Sequence, residues 1–237
     1  MTETNNTYKK MSNNHITTGL REFDEFLGGG FEKEVISTIY GPGGSGKTNL
    51  CISAMINVIK NGKKVIYIDT ESSFSLNRMK QIDKNYEETL KDVVFLKPVS
   101  FEEQKGSFEK LKELINEDIG LVIVDSIAML YRLEFGKSQD IYEVNRELGS
   151  QISYLSEIAR QKKIPVLITN QVYSSFEDKE EVKLVGGDIL RYGSKCLLEI
   201  KKGKNNIRLA IIRKHRSLPE GKEFIFEIIE EGMKINN

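Results

Sequence analysis

Residues 35–48, VISTIYGPGGSGKT, determine the predicted fold. The first six are mostly apolar and β-branched, which is typical of a buried strand. The last eight fit the pattern GxxxxGK[ST] in full, and apolar residues then recur with helical period over 48–60. Glycines in such a loop turn backbone N–H groups inward around phosphate oxygens, and the N-terminus of the following helix faces the same anion. The sequence therefore predicts a phosphate-binding loop between a strand and a helix.

This loop also indicates how a nucleotide is held. Lys47 is expected to reach the terminal phosphates, and the Thr48 hydroxyl is expected to bind Mg²⁺. We therefore predict ATP and Mg²⁺ as cofactors. The predicted nucleotide-binding residues of this segment are Gly41, Pro42, Gly43, Gly44, Ser45, Gly46, Lys47, Thr48 and Asn49.

Strands and helices alternate on the C-terminal side of this loop. The predicted strands are 65–69, 93–97, 121–125 and 164–170, and the predicted helices are 48–60, 108–115 and 141–159. Residues 121–125 are nearly all apolar, as expected of a central parallel strand covered on both faces. Three further strands, at 197–201, 207–213 and 223–229, leave no room for helices between them. The prediction is an α/β fold with a mainly parallel central sheet flanked by helices and antiparallel strands at its C-terminal edge.

Polar residues lie at or just beyond the ends of three of these predicted strands. Asp125 ends the central strand, where a Mg²⁺ ion bound to phosphates needs a hard oxygen partner. Asp69 and Glu71 follow a neighbouring strand and are candidates for the group that orients the attacking water; Glu71 is preferred because it lies beyond the strand. Gln171 follows the next apolar strand, where its amide could sense a γ-phosphate and pass the signal to the following loop.

The composition limits the class of protein. The 237 residues contain 35 Lys and Arg against 35 Asp and Glu, so global basicity gives no support for a nucleic-acid partner, although local patches remain open. Cys51 and Cys196 sit in apolar runs and are predicted to be buried thiols. The lack of an apolar run long enough to span a membrane predicts a cytoplasmic protein with no membrane partner. Residues 1–14 are predicted to be a flexible tail before a single core domain, 15–237.

These pieces, in this order, resemble the RecA-like recombinase family, whose fold is a P-loop ATPase core. The resemblance covers residues 16–235. The segments on which it rests are ITTGLREFDEFLGGGFEKEVISTIYGPGGSGKT, YIDTESSFSLNRM, LVIVDSIAMLYRLEFGK, LITNQV and LPEGKEFIFEI. The chain departs from RadA-type members, which place a small helical DNA-binding domain and a Phe-x-x-Ala polymerisation motif before the core. It is similar in this respect to the core-only archaeal RadB family.

The resemblance implies roles for residues at matching positions. Asp125 would be the acid on the Mg²⁺ side, Glu71 the residue that activates water, and Gln171 the relay that senses the γ-phosphate. With Lys47, Glu71 and Gln171 form the expected catalytic set. Arg78 matches an arginine that packs against the adenine base in relatives; the alternative is an ordinary exposed arginine on a helix.

Two basic residues near the C-terminus resemble a pair that acts between subunits. Lys214 and Arg216 match the Lys-x-Lys or Lys-x-Arg pair with which bacterial RecA and KaiC-like relatives reach the nucleotide of a neighbouring subunit. Such a pair would stabilise developing phosphate charge only in an assembly. The alternative is a basic strand end at the surface.

The charge pattern points to where DNA is expected to bind. The segment that corresponds to the second DNA-binding loop of relatives, 173–188, has five acids against two lysines, a sign that repels phosphate. The segment 191–216 has nine basic residues against one acid. Its exposed strands either contact DNA or merely present Lys and Arg to water. The candidate DNA-binding residues are Arg132, Lys137, Lys201, Lys202 and Lys204.

Together these patterns predict an ATP-binding accessory protein of DNA repair and recombination with weak hydrolysis. The resemblance implies DNA, a RadA-type recombinase and a Holliday-junction resolvase as partners, and a homodimer or a nucleotide-dependent oligomer. We further expect nucleotide occupancy, sensed by Gln171, to change the 173–188 loop. The alternatives are a filament-forming strand-exchange recombinase, a KaiC-like regulatory ATPase that binds proteins and not DNA, and a binding module that does not hydrolyse ATP.

Overall fold

The structure is a computed structural model that describes residues 14–174 and 182–235. The predicted tail, 1–14, lies outside this part of the chain except for its last residue. Residues 175–181 of the acidic segment also lie outside it, and they include four of the five acidic residues of that segment. The tail and the behaviour of the acidic loop therefore stay predictions.

Strands and helices alternate through the first two thirds of the described chain. The strands are β1 (His15–Ile16), β2 (Phe31–Glu32), β3 (Ile36–Tyr40), β4 (Lys64–Asp69), β5 (Val93–Leu96), β6 (Ile119–Asp125), β7 (Val166–Asn170), β8 (Val172–Ser174), β9 (Val182–Leu184), β10 (Cys196–Lys202), β11 (Ile207–Lys214), β12 (Glu223–Ile229) and β13 (Gly232–Ile235). The helices are α1 (Arg21–Phe26), α2 (Lys47–Lys60), α3 (Leu76–Ile82), α4 (Tyr86–Lys91), α5 (Phe101–Leu114), α6 (Met129–Phe135), α7 (Ile141–Lys162) and α8 (Gly187–Gly193).

One large sheet organises these elements. Its strand order is β13-β12-β11-β10-β3-β7-β6-β4-β5. The pairs from β10 to β5 are parallel, whereas β10 to β13 pair antiparallel with one another. The predicted α/β fold, with a parallel sheet extended by antiparallel strands at the C-terminal edge, is confirmed. Because parallel strands end at the same edge, the residues after β3, β4, β6 and β7 meet there.

The sheet separates two apolar cores. Alternate residues of β6 point to opposite sides: Leu121 and Ile123 enter the core packed on α1 and α2, while Val122 and Val124 enter the core packed on α5 and α7. All four side chains are fully buried. The prediction of a central strand covered on both faces is therefore confirmed, and this packing holds Asp125 at the end of a rigid strand.

Several elements differ from the sequence prediction. The helix predicted at 108–115 begins earlier, at Phe101, because the Ser100 hydroxyl caps it by accepting a hydrogen bond from the Glu103 N–H at 3.1 Å. The sequence does not predict the short helices α1, α3, α4, α6 and α8, since six or seven residues are too few to show helical period. Both cysteines are buried thiols, as predicted. Within the described residues, no helix combines the length and the apolar character that a membrane crossing requires.

Candidate functional site

The glycine loop joins β3 to α2 at the carboxyl edge of the sheet. Gly41 has a φ of 155°, and a β-carbon there would lie 2.2 Å from the carbonyl oxygen of Ile200 in β10. Gly46 caps α2 with a φ of 102°, and a β-carbon there would lie 2.6 Å from Ile228. Both positions require glycine, because a side chain would meet strain and a close neighbour at once. The loop thus takes its shape from the neighbouring strands as well as from its own sequence.

Lys47 lies inside this loop. It is 8% exposed, and its Nζ donates hydrogen bonds to the carbonyl oxygens of Gly41 at 3.0 Å and Pro42 at 3.1 Å. Burial, the main cause, lowers the pKa of the ammonium, although Asp125 and Glu71 act in the opposite direction. A phosphate group beside Lys47 would offset the free-energy cost of burying this positive charge.

Asp125 accepts hydrogen bonds from hydroxyl groups of four neighbouring segments. Its Oδ2 accepts hydrogen bonds from Thr48 at 2.8 Å, Tyr67 at 2.9 Å and Ser73 at 2.7 Å, and its Oδ1 accepts one from Thr169. The carboxyl group is nearly fully buried. Burial, the largest cause, raises the pKa of Tyr67 well above its ordinary value, so this phenol stays protonated as a donor.

Thr48 and Asp125 fit a magnesium ion bound to a nucleotide. Their oxygens lie together beside the loop, and Mg²⁺ in nucleotide sites takes one or two hard protein oxygens together with phosphates and water. The Thr48 hydroxyl donates a hydrogen bond to Asp125, and the lone pairs of its oxygen stay available to bind the ion. These two residues are therefore the ones that would hold the ion.

Glu71 and Gln171 meet across the pocket. Gln171 Nε2 donates a hydrogen bond to Glu71 Oε2 at 2.8 Å, although the residues lie 100 positions apart in the sequence. The other carboxylate oxygen, Glu71 Oε1, is buried without a hydrogen-bond partner among the described residues. A buried acceptor of this kind can orient a water molecule. The neighbouring Asp69 instead accepts hydrogen bonds from the N–H groups of Ser73 and Phe74, which shape the loop after β4.

Arg78 connects the loop helix to the C-terminal strands. Its Nε donates to Asn49 Oδ1 at 2.8 Å, and its terminal nitrogens donate to the carbonyl oxygens of Glu230 at 2.8 Å and Gly232 at 3.0 Å. These hydrogen bonds lie in the plane of the guanidinium and hold its edges against three segments. Arg78 lines the same pocket as the loop, and its contact with adenine stays a prediction.

Most of the predicted site residues line one pocket of about 310 Å³, although Gly41, Pro42 and Ser45 of the loop do not. Its lining combines the predicted loop residues with side chains that sequence reasoning missed. The lining residues are Gly43, Gly44, Gly46, Lys47, Thr48, Asn49, Ile52, Glu71, Ser73, Ser75, Arg78, Asp125, Gln171, Arg208 and Ile228. Arg208 and Ile228 carry no motif, because they arrive from strands far along the sequence; only the register of β10 to β12 brings them to the loop.

Lys214 and Arg216 lie away from this pocket. Lys214 Nζ donates to the carbonyl oxygens of Arg191 at 2.7 Å and Ser194 at 2.8 Å, just before β10. Arg216 forms an ion pair with Glu32. Since β10 runs parallel to β3, these contacts are near the amino edge of the parallel strands, opposite the glycine loop. Neither residue reaches the pocket of its own chain.

The candidate DNA-binding residues do not form one patch. Arg132 and Lys137 are exposed on and after α6, which follows β6 at the carboxyl edge. Lys201 lies 3.9 Å from Glu199 on one face of β10. Lys202 points to the other face, and Lys204 is exposed in the turn before β11.

The comparisons with known proteins agree with this geometry. The model of the Rad51 family matches residues 9–236. A DNA repair and recombination protein RadB from Methanococcus maripaludis strain C7 is 44% identical over 216 residues, which span 90% of this chain and 98% of that protein. One from Methanobrevibacter smithii is 40% identical over 227 residues, or 93% and 96% of the two chains. A solved structure described as the RadB recombinase superposes with a TM-score of 0.80 at 36% identity, covering 94% of this chain and 100% of the other. The chain therefore belongs to the RadB proteins of the RecA/Rad51 recombinase family.

Proposed function

We propose that this protein is an ATP-binding accessory protein of DNA repair and recombination that binds DNA and hydrolyses ATP weakly with Mg²⁺. The single observation that supports this most is the convergence of Thr48, Asp125, Glu71 and Gln171 on the glycine loop. Four segments of sequence supply these side chains, and all four end at one edge of the sheet. The names of its relatives, DNA repair and recombination proteins, supply the biological setting.

The proposed roles follow from the contacts in the pocket. The N–H groups of the loop and Lys47 would hold the phosphates, with Thr48 and Asp125 holding Mg²⁺. When bound, Mg²⁺ neutralises phosphate charge. Glu71 Oε1, which has no partner among the described residues, is placed to accept a proton from water, while Gln171 keeps the second oxygen oriented.

Gln171 also provides the proposed link to DNA binding. It immediately precedes β8, which pairs antiparallel with β9 within the 172–184 stretch. The preceding residue, Asn170, donates from Nδ2 to the carbonyl oxygen of Val185 at 2.7 Å, which ties the far end of this segment to β7. A change in the hydrogen bond between Gln171 and Glu71 on nucleotide binding would therefore act at the base of the segment.

We propose DNA, single-stranded or branched, as the macromolecular ligand, with a RadA-type recombinase and a Holliday-junction resolvase as protein partners. The family supports the first two, and the resolvase is a narrower proposal. A role in DNA repair also fits the expected cytoplasmic location. Arg132, Lys137 and Lys204 are exposed at the carboxyl edge, where they could contact DNA phosphates.

Lys214 and Arg216 are proposed to act in an assembly. Their distance from the pocket of their own chain supports action on the nucleotide of a neighbouring copy. Each would first have to release a partner within the chain, the carbonyl oxygens beside β10 for Lys214 and Glu32 for Arg216. This requirement fits an assembly that forms only with nucleotide. An assembly of this kind would also suit a KaiC-like regulator, which is the second candidate function. A protein that does not retain DNA at low salt would support this second candidate.

The hydrolytic role of Glu71 is tested by Glu71→Gln. The amide keeps the size of the side chain but cannot take a proton from water, so we expect ATP turnover to fall by about 10²-fold or more while ATP affinity stays within about threefold. Phosphate release and nucleotide titration measure the two quantities. Glu87→Gln, on α4 away from the pocket, is the matched control. Equal turnover in Glu71→Gln and wild type would exclude Glu71 as the base, and no turnover in wild type would favour a binding module without hydrolysis.

A further inference from the structure

The β10–β11 hairpin lies directly against the glycine loop. Gly41 approaches the carbonyl oxygen of Ile200 so closely that no β-carbon fits between them. Ile200 is fully buried, and Lys202, two positions further, points to the same face of β10 because side chains alternate along a strand. The basic end of the hairpin is therefore directed at the loop, whereas Lys201 pairs with Glu199 on the opposite face.

The ammonium group of Lys202 lies beside the glycine loop. A β-carbon placed on Gly44 would lie 3.1 Å from Lys202 Nζ, so the ammonium lies beside the backbone that is proposed to hold phosphate. Among the described residues, no acceptor forms a hydrogen bond or ion pair with it. Lys47 lies within the same loop, so a phosphate group held there would be close to both ammonium groups.

Arg208, from the next strand, reaches the same point. Its NH2 group donates to the carbonyl oxygen of Gly44 at 3.2 Å, and NH1 donates to the carbonyl oxygen of Ile207 at 2.8 Å. Its Nε is buried and has no partner among the described residues. The guanidinium lines the nucleotide pocket with donors unused, and burial lowers its pKa. Planar guanidinium groups suit phosphate, since two N–H groups can bind two oxygens of one group.

We propose that Lys202 and Arg208 bind the phosphate groups of the nucleotide held by their own chain, so that the β10–β11 hairpin forms one wall of the nucleotide site. This rests on the proposed nucleotide binding. DNA also offers phosphates, but the close approach of both cations to Gly44, and the position of Arg208 within the pocket, favour the nucleotide. The basic segment 191–216 therefore does not act as one DNA-binding surface, because two of its cations bind ATP.

Titration with fluorescent ATP and AMP analogues, in the absence of DNA, tests this assignment. We expect Lys202→Gln and Arg208→Gln each to weaken ATP binding several-fold, and the double variant to weaken it by about tenfold or more. AMP binding should change less, because only one phosphate remains for the two cations. Lys110→Gln is the matched control, because Lys110 is an exposed lysine of α5 with no proposed role in binding, and this variant should bind both nucleotides like wild type.

The controls separate the outcomes. Thermal unfolding of each variant shows whether the fold is intact; Lys202 is exposed, so Lys202→Gln tests the proposal even where loss of Arg208 disturbs the hairpin. ATP affinity in the double variant equal to that of wild type would overturn the proposal, and a loss of DNA binding alone would assign both residues to the DNA surface instead. A wild-type protein that binds no ATP would refute the proposed function itself, a result distinct from either of these.

Discussion

Asp125 shows how one residue joins the parts of the site. Its carboxylate accepts hydrogen bonds from hydroxyl groups on α2, on β4, in the loop after β4 and on β7. A shift of one of these strands relative to the others would therefore break a hydrogen bond to Asp125. A buried carboxylate with this many donors is held in one orientation. The residue therefore acts as a reference point against which the glycine loop is positioned.

The variant Lys47→Ala tests whether the glycine loop holds the phosphates. The substitution removes a buried cation whose hydrogen bonds, among the described residues, go to two carbonyl oxygens of the loop, so the fold should stay intact while nucleotide binding falls by at least about 10²-fold. Nucleotide titration and thermal unfolding measure the two effects. Lys110→Ala, at an exposed position of α5, is the control. Retention of wild-type ATP affinity by Lys47→Ala would mean that the loop does not hold phosphate.

At the scale of elements, the long strands and helices were predictable, whereas the contacts between distant ones were not. Apolar runs such as 121–125 and the periodicity of 141–159 are local signals, and β6 and α7 formed where they indicate. Short α3 holds Arg78 in place, yet its seven residues give no reliable period. The motif identified Lys47, Thr48 and Asp125, but the contact of Arg208 with the loop depends on strand register, which no local pattern specifies.

The turn between β11 and β12 yields a prediction about pH. His215 Nδ1 accepts hydrogen bonds from the N–H groups of Ser217 at 3.2 Å and Leu218 at 3.3 Å, and burial, as the main cause, lowers the pKa of His215 below its ordinary value of 6.5. The native state then binds fewer protons than the unfolded chain. The free energy of unfolding should therefore be fully maintained above about pH 6.5 and fall as the pH drops below that value.

His215→Asn isolates this contribution. Its amide oxygen can still accept from the turn but does not titrate, so the loss of stability between about pH 6.5 and pH 5 should be smaller than in wild type. Urea unfolding at several pH values measures the slope. An identical slope in the variant and in wild type would show that His215 does not produce the acid sensitivity.

Across the whole molecule, the net charge is zero, but the basic residues are clustered in the sequence and many of them are paired with acids in the fold. The basic segment 191–216 runs from the amino edge of the sheet to the glycine loop and back. Lys201, Arg213 and Arg216 pair with Glu199 or Glu32, so much of its charge is neutralised within the chain. Exposed Lys204 lies at the same carboxyl edge as Arg132 and Lys137. DNA contact is therefore expected at the edge where the nucleotide also binds.

We expect nucleotide occupancy to control DNA binding through this shared edge. The most direct measurement is the affinity for single-stranded and branched DNA of the protein without nucleotide, with ADP and with a non-hydrolysable ATP analogue, each over a series of salt concentrations. We predict that the ATP-analogue state differs from the other two by about fivefold or more, the range typical of coupling between sites, with affinity that falls as salt rises. Identical DNA affinity in all three states would contradict the account.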